Sequence, residues 1–329
     1  MSDGDKVLQS VYTANDVATY TMDVVDKRRT ERGRSLKSGI STLDHYMRPL
    51  LPGEVVFVSA YTSWGKTAMM ECWARNTVRM LQEWQDEERI VVYISWETLT
   101  EELGLYDLCS ATNLDASKAW YGELGDDDTE LLRGAAFRRG AMPLWVLGYS
   151  LKRRRTLDAL TMPVVLDALK AVEKSYCLRP AVIFLDYIQK IPPLNERDDR
   201  RVQVLKNVDA VFQLARDCGA PVVVGCQSGR QVLDRAFKLP EIGDGQETSR
   251  IEQDADKVIS LWYPCKTEPE GASIDQLGGV PVGPNLIVCG VRKQRHAASG
   301  QVFPLYFDPA RNLFGGWAER DTGVAEIPW

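Results

Sequence analysis

Histidine is scarce in this chain: among 329 residues only His45 and His296 carry an imidazole, and they stand far apart. A histidine-based metal centre or catalytic triad has little to be built from. The seven cysteines lie singly at positions 72, 109, 177, 218, 226, 265 and 289, with no C-x-x-C pair. An odd, scattered set reads as buried thiols in a reducing compartment, so a cytoplasmic location is expected. No apolar run approaches the roughly 18 residues of a membrane span, and the polar N-terminus has no signal-peptide pattern, so no membrane partner is expected. Excess positive charge is missing too: 40 Lys and Arg against 46 Asp and Glu leave a net charge of −6. That argues against nucleic-acid binding by bulk surface charge and leaves room for a basic channel inside an acidic shell. Internal repeats and long linkers are also lacking.

Hydrophobic content of 44% and charged content of 26% are ordinary for a globular protein. A chain this long is one large α/β domain or two small ones. Its organising stretch is Ala60-Tyr61-Thr62-Ser63-Trp64-Gly65-Lys66-Thr67, which follows the apolar run Val55–Val58 and precedes a helical stretch, Ala68 to Arg75. Strand, loop and helix in that order give the pattern G-x-x-x-x-G-K-[ST] its meaning as a phosphate cradle. Backbone N–H groups of Ser63, Trp64, Gly65, Lys66, Thr67 and Ala68 would converge on an anion, with the positive end of the helix dipole behind them. Lys66 would reach the β/γ-phosphates of a nucleotide and Thr67 would ligate Mg²⁺. One position departs from the pattern, since Ala60 replaces its first glycine.

The rest of the chain supplies a frame for that loop. Residues 1–36 are polar, with a potential helix from Asp16 to Arg32 whose patchy apolar face is Val17, Tyr20, Met22, Val24 and Val25. A lone helix of this length is marginal, so it is either a frayed arm or an arm that docks on a neighbouring subunit. Arg89–Ser95 reads as a buried strand ending at Trp96-Glu97, and 98–142 as helical around a solvated loop at Asp126-Asp127-Asp128. Pro143–Leu147 reads as a short strand and Lys152-Arg153-Arg154-Arg155 as a solvated helix start more than a nucleic-acid contact. A helix over Pro163–Tyr176 precedes Ala181–Asp186, which is apolar without alternation, as in a strand covered on both faces. Asp186 has the placement of a Walker B carboxylate, at a strand's C-terminal end, where it can hold Mg²⁺ through water. A charged helix, Arg200 to Asp217, is followed by the strand Ala220–Gly225 with Cys226-Gln227 at its tip. Asp234–Ser249 reads as a loop, Asp254–Trp262 as a strand, and Leu286–Lys293 with Gly300–Phe307 as a hairpin with a basic tip. Strands alternating with helices, and polar residues at strand C-termini, predict an α/β fold whose parallel sheet carries its site along that edge.

Taken together, these motifs resemble the C-terminal RecA-like motor domain of DnaB-type replicative helicases, from about Gly39 to Phe314. Gly39-Ile-Ser-Thr-Leu-Asp44 and Pro52-Gly53-Glu54 are similar to that family's approach to the phosphate loop, where alanine at the first position is frequent. Ser95-Trp96-Glu97 resembles its S-L-E, Asp186-Tyr187-Ile188-Gln189 its D-Y-L-Q and Cys226-Gln227 its S-Q. Ile251-Glu-Gln-Asp-Ala-Asp256 and Lys293-Gln294-Arg295 match its I-E-Q-D-A-D and K-Q-R. The resemblance implies an N-terminal helical arm (1–36), a RecA-like P-loop NTPase core with a mostly parallel sheet and a C-terminal β-hairpin (37–317), and a tail (318–329). It implies an ATP hydrolase acting with Mg²⁺ as a homo-hexameric ring on single-stranded DNA, with ATP at the subunit interfaces. Glu97 would polarise the attacking water, Asp186 would hold Mg²⁺, and Gln227 would sense the γ-phosphate. Lys293 and Arg295 would reach into the neighbouring subunit's site, where a trans-acting arginine is worth roughly 10³–10⁵ in rate.

Two departures qualify what the resemblance implies. Only about 36 residues precede the motor where the family has a helical collar, so primase recruitment is not implied. The DNA-tracking loop, usually R-E-S-G, is Gln246-Glu247-Thr248-Ser249, and the L-N after Gln227 is Ser228-Gly229, though Arg230 is kept. If Gln246, Glu247, Thr248, Ser249 and Arg230 hold DNA phosphates, they do so more weakly. The alternative expectation is a DnaB-like ATPase that does not unwind, serving as an assembly platform or regulatory switch in a phage or mobile-element system. The arm, or the tail Gly323–Trp329, is the expected contact for a replication or mobile-element partner.

Overall fold

The computed structural model describes residues 11–153, 160–195, 197–245 and 248–320. The chain divides into two units, residues 1–36 and 37–329. In the first, helix α1 spans Ala14–Thr30. Thr13 and Asp16 form a capping box: the Asp16 N–H donates to Thr13 Oγ1 at 3.2 Å and the Thr13 N–H donates to Asp16 Oδ2 at 2.9 Å. Lys27, Arg28 and Arg29 fill the last turn, where cations suit the negative end of the helix dipole. No α1 residue is buried, and Tyr12, Val17, Tyr20, Val24 and Val25 share an open apolar face.

The second unit is organised by strands β1 (Val55–Ala60), β2 (Arg89–Ser95), β3 (Leu144–Leu147), β4 (Arg179–Asp186), β5 (Val222–Gln227) and β6 (Lys257–Trp262). They are followed by β7 (Ser273–Ile274), β8 (Val280–Pro281), β9 (Leu286–Gln294), β10 (Gln301–Asp308) and β11 (Leu313–Gly316). Nine of them form one sheet in the order β11-β10-β9-β6-β1-β5-β4-β2-β3, and β7 pairs with β8 alone. The pairings from β6 through β1, β5, β4 and β2 to β3 are all parallel, whereas β9, β10 and β11 join antiparallel. The predicted mostly parallel α/β sheet and C-terminal hairpin are therefore observed.

The helices of this unit are α2 (Ser41–Tyr46), α3 (Lys66–Glu83), α4 (Thr100–Thr112), α5 (Ala116–Tyr121), α6 (Asp126–Arg139), α7 (Met162–Tyr176), α8 (Arg200–Cys218) and α9 (Thr248–Asp254). Val55 and Phe57 of β1, Ile183 and Leu185 of β4 and Val222 and Val224 of β5 pack with Val165 of α7 and Val208 and Val211 of α8. The alternate strand residues face α3, whose Trp73 meets Phe184 edge to face at 6.1 Å. Both faces of the central strands are covered, which is why they are apolar without alternation. Strand β1 lies between β5 and β6, where the chain's crossovers change direction, so the loop leaving its C-terminal end sits at a topological switch point.

Several local expectations are corrected. Asp126, Asp127 and Asp128 form the first turn of α6, not a loop; carboxylates there complement the positive end of the helix dipole. Asp254 closes α9, and the following strand begins only at Lys257. The stretch 234–249 is not all loop, since it holds a 3₁₀ turn at Ile242–Asp244 and the start of α9. Lys152 and Arg153 lie in a turn, while Arg154 and Arg155 lie outside the described residues. The cysteines are all free, but Cys177 is exposed and Cys218 and Cys265 are only half-buried. Of the tail, residues 321–329, which include Gly323–Trp329, lie outside the described residues. Among the described residues no helix is long and apolar enough to cross a membrane.

Candidate active site

The phosphate loop leaves β1 at Ala60 and turns into α3 at Gly65, whose φ of +84° lies in the left-handed region that glycine tolerates. A Cβ there would stand 3.2 Å from the Phe314 ring, a tight contact that adds to the dihedral preference for glycine. No side chain caps α3. The first N–H groups of this 18-residue helix, from Lys66, Thr67 and Ala68, therefore remain to serve an anion. Ser63, with φ of +63°, and Trp64 complete the loop, and the Trp64 N–H donates to Tyr61 O at 3.2 Å.

Asp186 closes the site from the end of β4. Its carboxylate is 1% exposed, forms an ion pair with the Lys66 ammonium, and accepts the Thr67 hydroxyl at 2.8 Å and the Tyr93 hydroxyl at 3.3 Å. Burial, and then the Asp186 charge, push the Tyr93 phenol well up, which keeps it a donor. Thr67 Oγ1 and Asp186 are two hard oxygen donors side by side. They suit Mg²⁺, which takes one or two protein oxygens and completes its shell with phosphates and water. Among the described residues no cluster of three or more His, Cys, Asp or Glu offers an all-protein metal cage.

Glu97 lies two residues beyond β2, whose Ser95 pairs with Asp186 of β4. It is exposed, and its N–H donates to Ser95 Oγ at 3.3 Å. The Tyr187 phenol hydrogen-bonds Glu97; burial first, and then the Glu97 charge, push it up to about 12. The Lys66 ammonium lies 4.4 Å from the centroid of the same Tyr187 ring. Gln227, at the tip of β5, donates its side-chain amide to Thr62 Oγ1 of the phosphate loop at 2.7 Å. Its backbone is clamped by Gln189, which accepts the Gln227 N–H at 3.1 Å and donates to Gln227 O at 3.2 Å. Lys66, Thr67, Asp186 and Gln227 thus gather around one loop, with Glu97 joined to them through Tyr187. Sequence reasoning assigns no role to Tyr93, Tyr187, Gln189 or Thr62. Tyr187 and Gln189 stand within the D-Y-I-Q motif, which is the available signal for them.

Lys293 and Arg295 are not in this group. Val258 pairs with Lys293 and Lys257 with Gln294, which places the hairpin tip at the end of the sheet where β1 begins. The phosphate loop lies at the other end of β1, about 16 Å of strand rise away. Lys293 donates to Gln253 O at 3.0 Å, and Arg295 pairs with Asp256 at 3.2 Å and donates to Asp254 O at 3.2 Å.

Among the candidate DNA contacts, Arg230 is exposed and begins a 3₁₀ turn just beyond the tip of β5. Gly229 N–H donates to Asp244 O at 2.7 Å, and Ser228 bridges Gly245, so the segment leading to the tracking loop is tied to the Gln227 tip. Thr248 and Ser249 begin α9, while Gln246 and Glu247 lie outside the described residues.

Beneath α3 lies a buried polar cluster. Arg75 donates to Asp107 Oδ1 of α4 at 3.2 Å and to Asn312 O at 2.5 Å, and Arg139 of α6 donates to Asp107 Oδ2 at 2.8 Å. Glu71 accepts from the Asn312 amide, but its Oε1 has no partner, and burial pushes its carboxyl well up. The cluster binds the phosphate-loop helix to α4, α6 and the turn before β11.

A phosphate loop at the switch point of a mostly parallel sheet, with a strand-end carboxylate beside it and antiparallel strands appended to one side, defines a RecA-like P-loop NTPase core. Residues 35–315 match the model of the DnaB-like helicase C-terminal domain, and the chain belongs to that family. It is 24% identical over 299 residues to the replicative DNA helicase DnaB of Rickettsia conorii, covering 87% of this chain and 58% of that protein. It is 26% identical over 268 residues to DnaB of Helicobacter pylori, covering 80% of this chain and 51% of that one. The chain thus spans somewhat more than half the length of these relatives. Two solved structures share the fold at 20% identity. One, an isolated ATPase domain, superposes with a TM-score of 0.75 over 92% of this chain and 99% of that one. The other, a DnaB-like replicative helicase studied for its interactions with primase, gives 0.70 over 90% and 66%.

Proposed function

We propose that this chain is the ATP-hydrolysing motor of a DnaB-like ring helicase that translocates on single-stranded DNA, with six copies sharing ATP sites at their interfaces. The carrying observation is the separation of the phosphate loop from Lys293 and Arg295 by the length of β1. A cation at the foot of the strand cannot serve the site at its head, but in a head-to-tail ring it faces the next copy. The loop N–H groups and Lys66 bind and orient the ATP phosphates. Thr67 and Asp186 hold Mg²⁺, which would supply charge neutralisation on the phosphates when bound. Glu97 takes a proton from the attacking water, with its carboxylate held by the Tyr187 hydroxyl. Gln227, in contact with Thr62, exchanges that contact for the γ-phosphate and passes the change to the Ser228–Gly245 bridge. Arg295 from the next copy stabilises charge on the transferring phosphoryl group. The open face of α1 is suited to link neighbouring subunits.

The test is Arg295→Ala, for which ATP binding persists while turnover falls by roughly 10³-fold or more; full turnover would remove the trans role. Strand separation on a forked duplex with ATP and Mg²⁺ tests translocation. The altered tracking loop, Gln246-Glu247-Thr248-Ser249, favours a second reading, a DnaB-like ATPase acting as a platform or switch. ATP turnover that single-stranded DNA does not stimulate, with no unwinding, decides for it.

A further inference from the structure

A finger that acts on a neighbour's phosphates has to be aimed before it arrives. Arginine carries large side-chain rotamer entropy, and whatever is lost on docking subtracts from the stabilisation it gives. In this chain Arg295 is already seated. Its Nε lies 3.2 Å from Asp256 Oδ1, one Nη2 hydrogen goes to Asp254 O at 3.2 Å, and its own N–H donates to Asp256 O at 2.9 Å. The side chain is still 51% exposed. The fork has five N–H donors, and the one hydrogen bond to Asp254 O leaves four that the ion pair with Asp256 does not commit.

The seat itself is tied to the sheet. Asp256 is 15% exposed and its Oδ2 accepts the Val55 N–H at 2.9 Å, while its own N–H donates to Val55 O at 3.0 Å. Val55 is the first residue of β1, the strand that ends in the phosphate loop. The carbonyls of Gln253 and Asp254, at the negative end of α9, draw Lys293 and Arg295 to the same spot. Arg250 in turn fastens α9 to Asp209 of α8 at 3.0 Å. We infer that Asp256 is a positioning residue that presents Arg295 to the adjacent subunit's ATP, coupling the finger to the strand carrying its own subunit's phosphate loop. This rests on the trans reading of Arg295 proposed above.

A merely structural half-exposed ion pair would contribute little to stability and nothing to turnover. Asp256→Asn separates the two, because an amide oxygen can still accept the Val55 N–H while the charge holding the guanidinium is lost. In the full chain, Asp256→Asn is expected to leave the thermal midpoint and the KM for ATP nearly unchanged. Turnover is expected to fall about 10- to 100-fold, the cost of misplacing a reacting group by about 1 Å.

The decisive readout is mixed rings, co-expressed with differently tagged subunits. Asp256→Asn subunits keep a sound phosphate loop, and Lys66→Ala subunits keep a sound finger. Random equal mixing is expected to restore about a quarter of wild-type turnover, the fraction of head-to-tail interfaces that join the two sound halves. Rings mixed from Arg295→Ala and Lys66→Ala serve as the control. If the control recovers and the Asp256→Asn rings do not, or if Asp256→Asn alone turns over at the wild-type rate, the role of Asp256 is overturned. If the control itself fails to recover, the trans reading falls and this inference with it.

Discussion

The contact between Lys66 and Asp186 makes a prediction about stability that a purely catalytic lysine would not make. Asp186 is 1% exposed and Lys66 12%, so each is the other's main counter-charge. Breaking a buried pair by removing one partner costs about 3–5 kcal/mol, because it leaves an uncompensated charge. Asp186 retains the Thr67 and Tyr93 hydroxyls, at 2.8 and 3.3 Å, and water can reach the vacated Lys66 position. The cost is therefore expected at about 2–3 kcal/mol, below the full penalty. Lys66→Met is the right perturbation, since it keeps an unbranched side chain against Tyr187 and deletes only the ammonium. For a unit of this size, about 2 °C per kcal/mol gives a fall of about 4–6 °C in thermal midpoint without nucleotide. The double variant Lys66→Met with Asp186→Asn should recover most of that loss, because the amide needs no counter-charge and still accepts from both hydroxyls. An unchanged or raised midpoint in Lys66→Met would refute the pair as the resting arrangement.

Two further expectations concern helix α3, one through Gly225 of β5, which lies against Lys66, and one through its own Glu71. In Gly225→Ala, the new Cβ would stand 3.0 Å from Lys66 Nζ and 3.1 Å from Tyr187 Cβ. The lysine must move by a few tenths of an ångström, and steady-state turnover is expected to fall about 10-fold or more while the far-UV spectrum is unchanged. Glu71 tests the buried cluster through pH. Its folded carboxyl is raised by burial above the ordinary 4.5, so the folded state keeps a proton that the unfolded chain releases. Stability is then greatest below that value and falls as pH rises toward the folded-state value, by up to about 1.4 kcal/mol per pH unit. Arg75, 3.9 Å away, pulls the other way, but its guanidinium is committed to Asp107 and Asn312 O. Glu71→Gln should flatten the profile above about pH 4.5 and leave the variant more stable at the upper end. A variant that loses stability there would mean the carboxylate is ionised and held by Arg75.

What can be read from the residues alone follows the strength of the periodic signal. The strands β1, β4 and β5 are covered on both faces, so each stands out as an unbroken apolar run and is legible. Helix α2, at six residues, and β11, at four, are too short for any period to repeat, and the sequence gives no sign of them. Asp126 to Asp128 read as a loop because acidity signals solvation, whereas at a helix start it also complements the dipole. The loop residues of the site and Asp186 are legible because their chemistry is fixed by local order along the chain. Asp256 and Gln189 stand inside recognisable motifs, yet their partners are reached across neighbouring strands and loops, and no spacing in the sequence reveals that.

The two ends of β1 explain why the motifs are ordered as they are. On the function proposed above, one strand would join a subunit's own phosphate loop at its head to the cation that serves its neighbour at its foot. At the head of β1, Ala60 O accepts the Ser228 N–H at 3.0 Å, beside the Gln227 contact with Thr62. At its foot, Val55 exchanges two hydrogen bonds with Asp256, which holds Arg295. Helix α9 offers a second route between the same two places. Its start follows the segment bridged to Ser228, and its last carbonyls receive Lys293 and Arg295. On the function proposed above, a shift at Gln227 would reach Arg295 through the last carbonyls of α9, while β1 holds Asp256 in place.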